Sequence, residues 1–150
     1  MRILVDADAC PVKEIIIMHA KRHGIPVTMI IDTSHELNDG YSEIITVDKA
    51  RDSVDIKLIN LTSAGDIVVT QDFGVAAMAL GKGAIPINQN GLIFTDDNMD
   101  RLLLERYIGH KIRRSGGRTR NMKKRTKEND DEFEKAFVPL LKRQLNTGQS

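Results

Sequence analysis

The sequence contains no tryptophan, only 4% aromatic residues and a single cysteine. With so few aromatic rings, we do not expect a platform on which nucleic-acid bases stack. The lone Cys10 excludes an internal disulfide and a zinc site built from several cysteines. No apolar run approaches the roughly 18 residues that a membrane span needs, and no secretory signal pattern is present. We therefore expect a cytoplasmic protein that makes no contact with a membrane.

The remaining composition is typical of one soluble globular domain. The chain has 150 residues, of which 41% are hydrophobic and 29% are charged. These values are close to the averages for globular proteins and exclude fibrous, collagen-like and wholly disordered chains.

Charge is distributed unevenly along the chain, although the formal net charge is only +1. Residues 1–110 carry 10 basic and 16 acidic side chains, which is a net charge of −6. Residues 111–127 carry 9 basic and no acidic side chains, and residues 128–150 carry 3 basic and 5 acidic ones. An acidic body with one dense basic segment indicates an anionic partner more than ordinary surface solvation.

Strand-like apolar stretches alternate with helix-like segments along most of the chain. This order predicts an α/β fold: a mostly parallel twisted sheet with helices on both faces, extended by a C-terminal helix. Asn90-Gly91 predicts a hairpin between residues 85–88 and 92–95. We expect an α/β domain over residues 1–113, a basic loop over 114–127, and a helix over 128–150 that packs on the same domain. The last helix is predicted to begin near Glu132 and to kink at Pro139.

Carboxylates follow the strands at one predicted edge of this sheet. Asp6 and Asp8 end the first strand, and Asp72 ends the fourth, two residues after Thr70. Asp55 lies in the first turn of the helix before the fourth strand. Functional crevices in such sheets lie beyond the carboxyl ends of the strands, and clustered carboxylates need a cation to offset their repulsion. We predict a Mg²⁺ or Mn²⁺ site there. The alternative is that these residues only cap helices and turns.

Three segments resemble the bacterial YaiI/YqxD family, and the match covers nearly the whole chain. They are residues 5–13 (VDADACPVK), 65–74 (GDIVVTQDFG) and 115–119 (SGGRT). That family is similar to PIN-like domains, many of which are metal-dependent ribonucleases.

The PIN-like resemblance implies a role for several of the acidic residues. It implies that Asp6, Asp55 and Asp72 are catalytic and bind the metal, and that Thr70 of the Thr-x-Asp motif supports them. Asp8, from its place after the first strand, is the fourth predicted metal ligand. The sequence departs from the PIN-like pattern because it has no clear counterpart of a glutamate on an intervening helix. Asp8 is expected to supply the additional oxygen.

The basic segment predicts a contact with nucleic acid, most simply RNA. Lysine and arginine in such a run bind phosphates in a sequence-independent, salt-dependent way. The alternatives are a solubilising loop, a lid over the acidic edge, or a segment that neutralises the acidic body. The predicted nucleic-acid-binding residues are Lys13, Arg113, Arg114, Arg118, Arg120, Lys123 and Lys124.

Three functions are compatible with these patterns. The first is a Mg²⁺- or Mn²⁺-dependent PIN-like nuclease that hydrolyses RNA phosphodiester bonds. The second is a nucleic-acid-binding protein that keeps the fold without turnover. The third is a small-molecule phosphohydrolase with Asp6 as nucleophile, which would need a second acidic pair such as Asp96-Asp97 at the same edge. Cys10 is expected to be a small buried residue, and no metal site is predicted among the four histidines.

Overall fold

The computed structural model describes residues 1–116 and 124–148. Within them lie five strands and five helices. The strands are β1 (Ile3–Asp6), β2 (Val27–Asp32), β3 (Glu43–Val47), β4 (Ile67–Val69) and β5 (Ile85–Ile87). The helices are α1 (Lys13–His23), α2 (Ser53–Leu61), α3 (Phe73–Gly81), α4 (Asp96–Arg114) and α5 (Lys127–Gly148).

The five strands form one sheet in the order β3-β2-β1-β4-β5, and every pair of neighbours is parallel. Val5 of β1 is in register with Met29 of β2 and Val69 of β4. The carboxyl ends of the strands therefore meet at one edge of the sheet, which we call the rim. β1 is the central strand, so a residue that follows it at the rim lies between the ends of β2 and β4.

Successive side chains of β1 point to opposite faces of the sheet, and each face carries its own helices. Ile3 and Val5 belong to a core shared with α1 and α5, whereas Leu4 belongs to a core shared with α2 and α3. α4 packs on α3 through a smaller cluster that contains Phe94 and Met99. The predicted fold class is confirmed: the sheet is parallel, and helices cover both of its faces.

Two predicted elements differ from the structure. α5 begins at Lys127, five residues before the predicted Glu132 and inside the predicted basic loop, and it continues through Pro139. Residues 92–95 form no strand, because only an isolated antiparallel bridge joins Ile87 to Ile93. Gly91 has φ 88°, and a Cβ on it would lie 2.5 Å from the backbone oxygen of Glu132. This turn therefore packs against α5, and the chain still reverses there, with hydrogen bonds from the Asn88 N–H to the Leu92 oxygen and from the Phe94 N–H to the Pro86 oxygen.

Among the described residues, no helix combines the length and the apolar character needed to cross a bilayer.

Candidate functional site at the sheet rim

Asp6 ends the central strand and begins the site. Asp6 lies two residues after Leu4, so both side chains point to the same face of the sheet, the one covered by α2 and α3. Thr70 follows β4 next to it, and the Thr70 hydroxyl donates to Asp6 Oδ2 over 3.5 Å. The position of Asp6 thus follows from strand register and from the two-residue period of a strand.

Asp55 and Asp72 reach the same place from the amino ends of two helices. Asp55 lies in the first turn of α2. Asp72 is the N-cap of α3, and its Oδ1 accepts a hydrogen bond from the backbone N–H of Val75 over 3.0 Å. Both helix amino ends carry partial positive charge, which favours carboxylates there. We call Asp6, Asp55 and Asp72 the central group. Asp72 is at once a cap and a member of this cluster.

The electrostatics of the central group show how closely its carboxylates approach one another. Burial raises the pKa of Asp6 to about 6, and the charges of Asp55, Asp8 and Asp72 add to the rise. Burial also raises the pKa of Asp55, with further contributions from Asp72 and Asp52. The carboxylates destabilise each other's charged forms, which is the condition under which a cation is favoured.

A groove of about 330 Å³ runs between α2 and α3 beside the central group. Asp55 and Asp72 line it together with the exposed apolar side chains of Ile56 and Met78. Gly74 also lies in its wall, and a Cβ there would sit 3.0 Å from Asp72 Oδ1. The groove is at the small end of the range for ligand sites.

Asp52 lines the same groove in an unusual backbone conformation. It is the only residue other than glycine with a positive φ, 66°, in the described part of the chain. Its side chain makes no capping hydrogen bond to α2, although it occupies the N-cap position. Aspartate tolerates this conformation better than most residues, but the conformation is uncommon and merits a functional explanation.

Asp8 contacts a second set of residues at the rim, although its charge also raises the pKa of Asp6. β1 ends at Asp6, so Asp8 is in a turn and not on the extended backbone that would point both carboxylates the same way. Asp8 Oδ1 accepts from the backbone N–H of Asp32 over 3.2 Å and lies 3.0 Å from His35 Nδ1. His35 Nδ1 is also 3.2 Å from Asp32 Oδ1. We call these three residues the lateral triad.

The lateral triad could also offer ligands to a metal, since one ligand atom of each residue lies within 4.8 Å of the others. Its Asp32 carboxylate already has hydrogen-bond donors within the protein. The hydroxyl and the backbone N–H of Ser34 both donate to Asp32. These hydrogen bonds, followed by His35, lower the pKa of Asp32. This group was not predictable from the sequence, because His35 lies in a loop with no regular pattern, although Asp32 ends a strand as Asp6 does.

The described part of the basic segment lies at the rim. α4 starts at the amino edge of the sheet, where Asp96 lines a cavity with Ile85. It then passes Phe73, over whose ring the Arg106 guanidinium lies at 5.3 Å. Arg114 is eight residues further, which is about 12 Å along a helix. The last turn of α4, with Lys111, Arg113 and Arg114, therefore extends beyond the level of Asp72.

Lys124 and Arg125, near the end of the basic segment, also lie at the rim. Arg125 donates to the backbone oxygen of Gln89 and to Asn90 Oδ1, which follow β5, and pairs with Asp130 over 2.8 Å. Lys124 beside it is exposed. Arg118, Arg120 and Lys123 lie outside the described residues. On the other side of the rim, Lys13 Nζ donates to the backbone oxygen of Ala7 over 3.2 Å.

Other candidates have structural partners. Cys10 is buried as expected, and burial raises the pKa of its thiol. His19 Nε2 lies 2.8 Å from Glu134 Oε2, which joins α1 to α5, and His23 contacts the backbone oxygen of His19. Asp66 precedes β4, accepts from the backbone N–H of Arg2 and Ser63, and lies at the opposite edge from Asp72.

Comparison with known sequences places the chain in a family. A family model described as "Uncharacterized BCR, YaiI/YqxD family" matches residues 4–143. This chain belongs to the YaiI/YqxD family. The match confirms the family resemblance inferred from the three motifs, while the similarity to PIN-like domains stays a prediction.

Several relatives of this YaiI/YqxD protein carry the description UPF0178 protein. One from Ruminiclostridium cellulolyticum is 72% identical over 142 residues, which cover 95% of this chain and 93% of the relative. One from Lachnoclostridium phytofermentans is 57% identical, covering 95% of this chain and 97% of the relative. One from Alkaliphilus oremlandii is 55% identical, covering 94% and 91%. No solved structure shows significant similarity to the chain.

Proposed function

We propose that this protein is a Mg²⁺- or Mn²⁺-dependent PIN-like nuclease that hydrolyses RNA phosphodiester bonds in the cytoplasm. The observation that carries the proposal is the central group: carboxylates from β1, α2 and α3 approach one another at the rim, beside a groove. Parallel α/β sheets place their ligand sites at this edge.

The central group fits a divalent metal better than it fits a set of structural caps. Carboxylate oxygens are the ligands that Mg²⁺ and Mn²⁺ prefer. Only Asp72 of the three carboxylates has a backbone N–H that explains its position as a cap. Burial first, and neighbouring carboxylates second, raise the pKa values of Asp6 and Asp55, and a bound cation would oppose both effects by favouring the charged forms. Asp6, Asp55 and Asp72 would hold the ion, with Asp8 at its edge.

Other residues of the chain orient the metal-binding carboxylates and line the groove. The Val75 N–H fixes the orientation of Asp72, and the Thr70 hydroxyl does the same for Asp6. A bound Mg²⁺ or Mn²⁺ would supply Lewis-acid activation of water and neutralise charge on the phosphate. Ile56 and Met78 border the groove with apolar surface, against which a sugar or base could pack.

The basic segment supports a polyanionic substrate. Arg113 and Arg114 extend beyond the rim from α4, and Lys124 lies beside the Arg125 anchor on the loop after β5. Both flanks of the segment therefore lie at the edge that holds the carboxylates. Arg118, Arg120 and Lys123 between them, and Lys13 on α1, complete the proposed phosphate contacts.

Cleavage of a 5′-labelled RNA in Mn²⁺ tests the catalytic part of the proposal. We expect Asp72→Asn to abolish cleavage, because the metal loses a charged ligand. Asparagine can still accept from the Val75 N–H, so the cap of α3 is preserved. Asp32→Asn, with the same change at the same rim, is the matched control and should cleave normally. Equal cleavage by wild type and Asp72→Asn would overturn the nuclease.

Neutralisation of the basic segment tests the RNA part. Replacing Arg113, Arg114, Arg118 and Arg120 by alanine should weaken RNA binding and flatten its dependence on salt, because fewer counterions are released. Fluorescence anisotropy over a salt series measures both effects. Unchanged affinity would show that the segment does not bind RNA.

A non-catalytic RNA-binding protein is the second candidate, and the capping role of Asp72 favours it. It predicts RNA binding by wild type without cleavage in either Mg²⁺ or Mn²⁺. The phosphohydrolase is less well supported. Its acidic pair would have to be Asp96-Asp97, and Asp96 lines a cavity with Ile85 at the amino edge of the sheet, away from Asp6.

A further inference from the structure

α4 presents an apolar face to solvent. Of its nineteen residues, all of which the structure describes, only Met99 is fully buried. Five large apolar side chains are between 41% and 57% exposed, and they are Leu103, Leu104, Tyr107, Ile108 and Ile112. Together they expose several hundred Å² of contiguous apolar surface, which monomeric proteins rarely leave uncovered.

The second half of α4 also has little tertiary support from its own chain. The contact between Arg106 and Phe73 is at the rim, and the residues after it extend beyond the sheet. Helices of two or three turns are marginal in water without a packed face. Both the exposed stripe and the projecting turns are explained if another molecule packs along α4.

The charges on the same face indicate which molecule that is. Asp97, Asp100, Leu104, Ile108 and Lys111 follow one another at intervals of three or four, so they share one face of the helix. Asp100, Leu103, Tyr107, Lys111 and Arg114 form an adjacent row at similar intervals. The exposed face is therefore acidic in its first half, apolar in the middle and basic in its last turn.

This order is complementary to itself when the helix is reversed. If two copies of α4 pair antiparallel about a point between Glu105 and Arg106, the two apolar pairs are Leu103 with Ile108 and Leu104 with Tyr107. The same register opposes Asp100 to Lys111 and Asp97 to Arg114. All four of these charged residues are exposed, so each is accessible to a partner.

We propose that this chain forms a two-fold symmetric homodimer through antiparallel packing of α4. A two-fold axis uses the same surface on both copies, so every contact occurs twice. The projecting C-terminal half of one α4 then packs along the N-terminal half of the other α4, which is held by its contacts with α3. The surface is smaller than the roughly 800 Å² per partner of a standard interface. We therefore expect a dimer with a dissociation constant on the order of micromolar.

Sedimentation velocity of the full chain from about 1 to about 500 µM tests the dimer, without RNA or metal. The wild type should shift from monomer to dimer over this range. Leu104→Ser should remain monomeric, whereas Met18→Ser, at a similarly partly exposed site on α1, should behave like wild type. Circular dichroism verifies that each variant is folded.

Charge reversal tests the antiparallel register. Asp100→Lys and Lys111→Asp should each weaken self-association about tenfold, because each dimer then holds two repulsive pairs. An equimolar mixture of the two variants should regain association. In the mixed dimer the introduced lysine of one variant meets the introduced aspartate of the other, and the native Lys111 meets the native Asp100. Lys135→Asp, a charge reversal on the surface of α5, is the control and should leave the dissociation constant of the dimer unchanged.

Three results would overturn the dimer: a wild type that is monomeric at every concentration, a mixture that associates no better than its components, or equal weakening by the control variants. Dimerisation through α4 does not require nuclease activity, and because Arg114 belongs to both proposed surfaces the dimer is measured without RNA. A monomeric wild type that cleaves RNA would refute only the proposed dimer. A dimer that neither binds nor cleaves RNA would refute only the proposed nuclease.

Discussion

The central group and the lateral triad are two carboxylate clusters at one sheet edge, and they balance their charges differently. In the central group, burial and mutual repulsion raise the pKa of Asp6 to about 6 and also raise that of Asp55. In the lateral triad, Ser34 and His35 lower the pKa of Asp32. The protein thus stabilises the charged form of one cluster with its own donors and disfavours the charged form of the other.

This contrast has a structural origin. Asp32 is followed by a loop that folds back, so that the Ser34 backbone N–H lies 2.8 Å from Asp32 Oδ1. Asp6 is followed by the buried Ala7 and points between two helices, where its direct donor is the Thr70 hydroxyl at 3.5 Å. An exposed loop can supply hydrogen bonds to a carboxylate, whereas a rigid cleft between helices supplies mainly shape and dipoles.

The largest expected difference between the clusters is in metal affinity. Asp6→Asn should weaken Mn²⁺ binding about 100-fold, since it removes a ligand from the central group. Asp32→Asn should change it less than about threefold, because hydrogen bonds from Ser34 already occupy the Asp32 carboxylate. Calorimetric titration of Mn²⁺ into the three proteins measures both constants. Stronger loss in Asp32→Asn would move the metal to the lateral triad.

The next effect is on stability against pH in the absence of divalent ions. The folded-state pKa of Asp6, about 6, lies above the ordinary aspartate value of 3.8. The folded protein therefore binds more protons between these values, and the contribution of Asp6 to stability falls as pH rises from about 4 to about 6. A shift of this size corresponds to about 3 kcal/mol at full ionisation.

Removal of the Asp6 charge should reverse this cost. Urea unfolding with a chelator present should find Asp6→Asn about 2 kcal/mol more stable than wild type at pH 7.5, with a smaller difference at pH 4. The effect of Asp32 on stability has the opposite sign. Because the pKa of Asp32 is lowered in the folded state, its contribution to stability is present above the ordinary aspartate pKa and is lost as the pH falls below it. A destabilised Asp6→Asn at pH 7.5 would show that repulsion in the central group is already offset.

The smallest effect concerns the donors of the lateral triad. Ser34→Ala should raise the pKa of Asp32 more than His35→Ala does, because the Ser34 hydroxyl lowers that pKa more than His35 does, while the backbone N–H of residue 34 is retained. Carbon-13 NMR titration of the Asp32 carboxyl resolves the two shifts. Neither variant should alter Mn²⁺ affinity by more than about threefold, and a larger loss in His35→Ala would make that histidine a metal ligand.

The fold class was predictable from the sequence because its periodicity is strong. The buried strands are continuous apolar runs, and glycine ends α1 at Gly24 with φ 65°. The boundary of α5 was predicted wrongly, since its first turn contains only polar residues, Lys127 to Asp130, and has no apolar spacing. The predicted hairpin is present only as a short reversal with one isolated antiparallel bridge, and the packing of its turn at Gly91 against α5 is a contact that no local pattern reveals.

The central group was predictable in outline and the lateral triad was not. Asp6 and Asp72 end strands, and Asp55 opens a helix, so the rule that parallel strands share a carboxyl edge brings them together. Asp8 follows the same sequence rule, yet it turns towards Asp32 because β1 stops two residues earlier. The exposed face of α4 was missed because its apolar residues have the spacing of a buried helix.

The sequence by itself determined the alternation of strands and helices, the strand-end carboxylates and the segregated charge. Each of these is local, since it depends on side-chain period or on composition within about twenty residues. Only the tertiary structure decided which carboxylates repel one another, which one has its pKa lowered by Ser34 and His35, and which face of α4 remains uncovered. Those outcomes depend on distances between residues far apart in the chain, and such distances are set when the helices pack on the sheet.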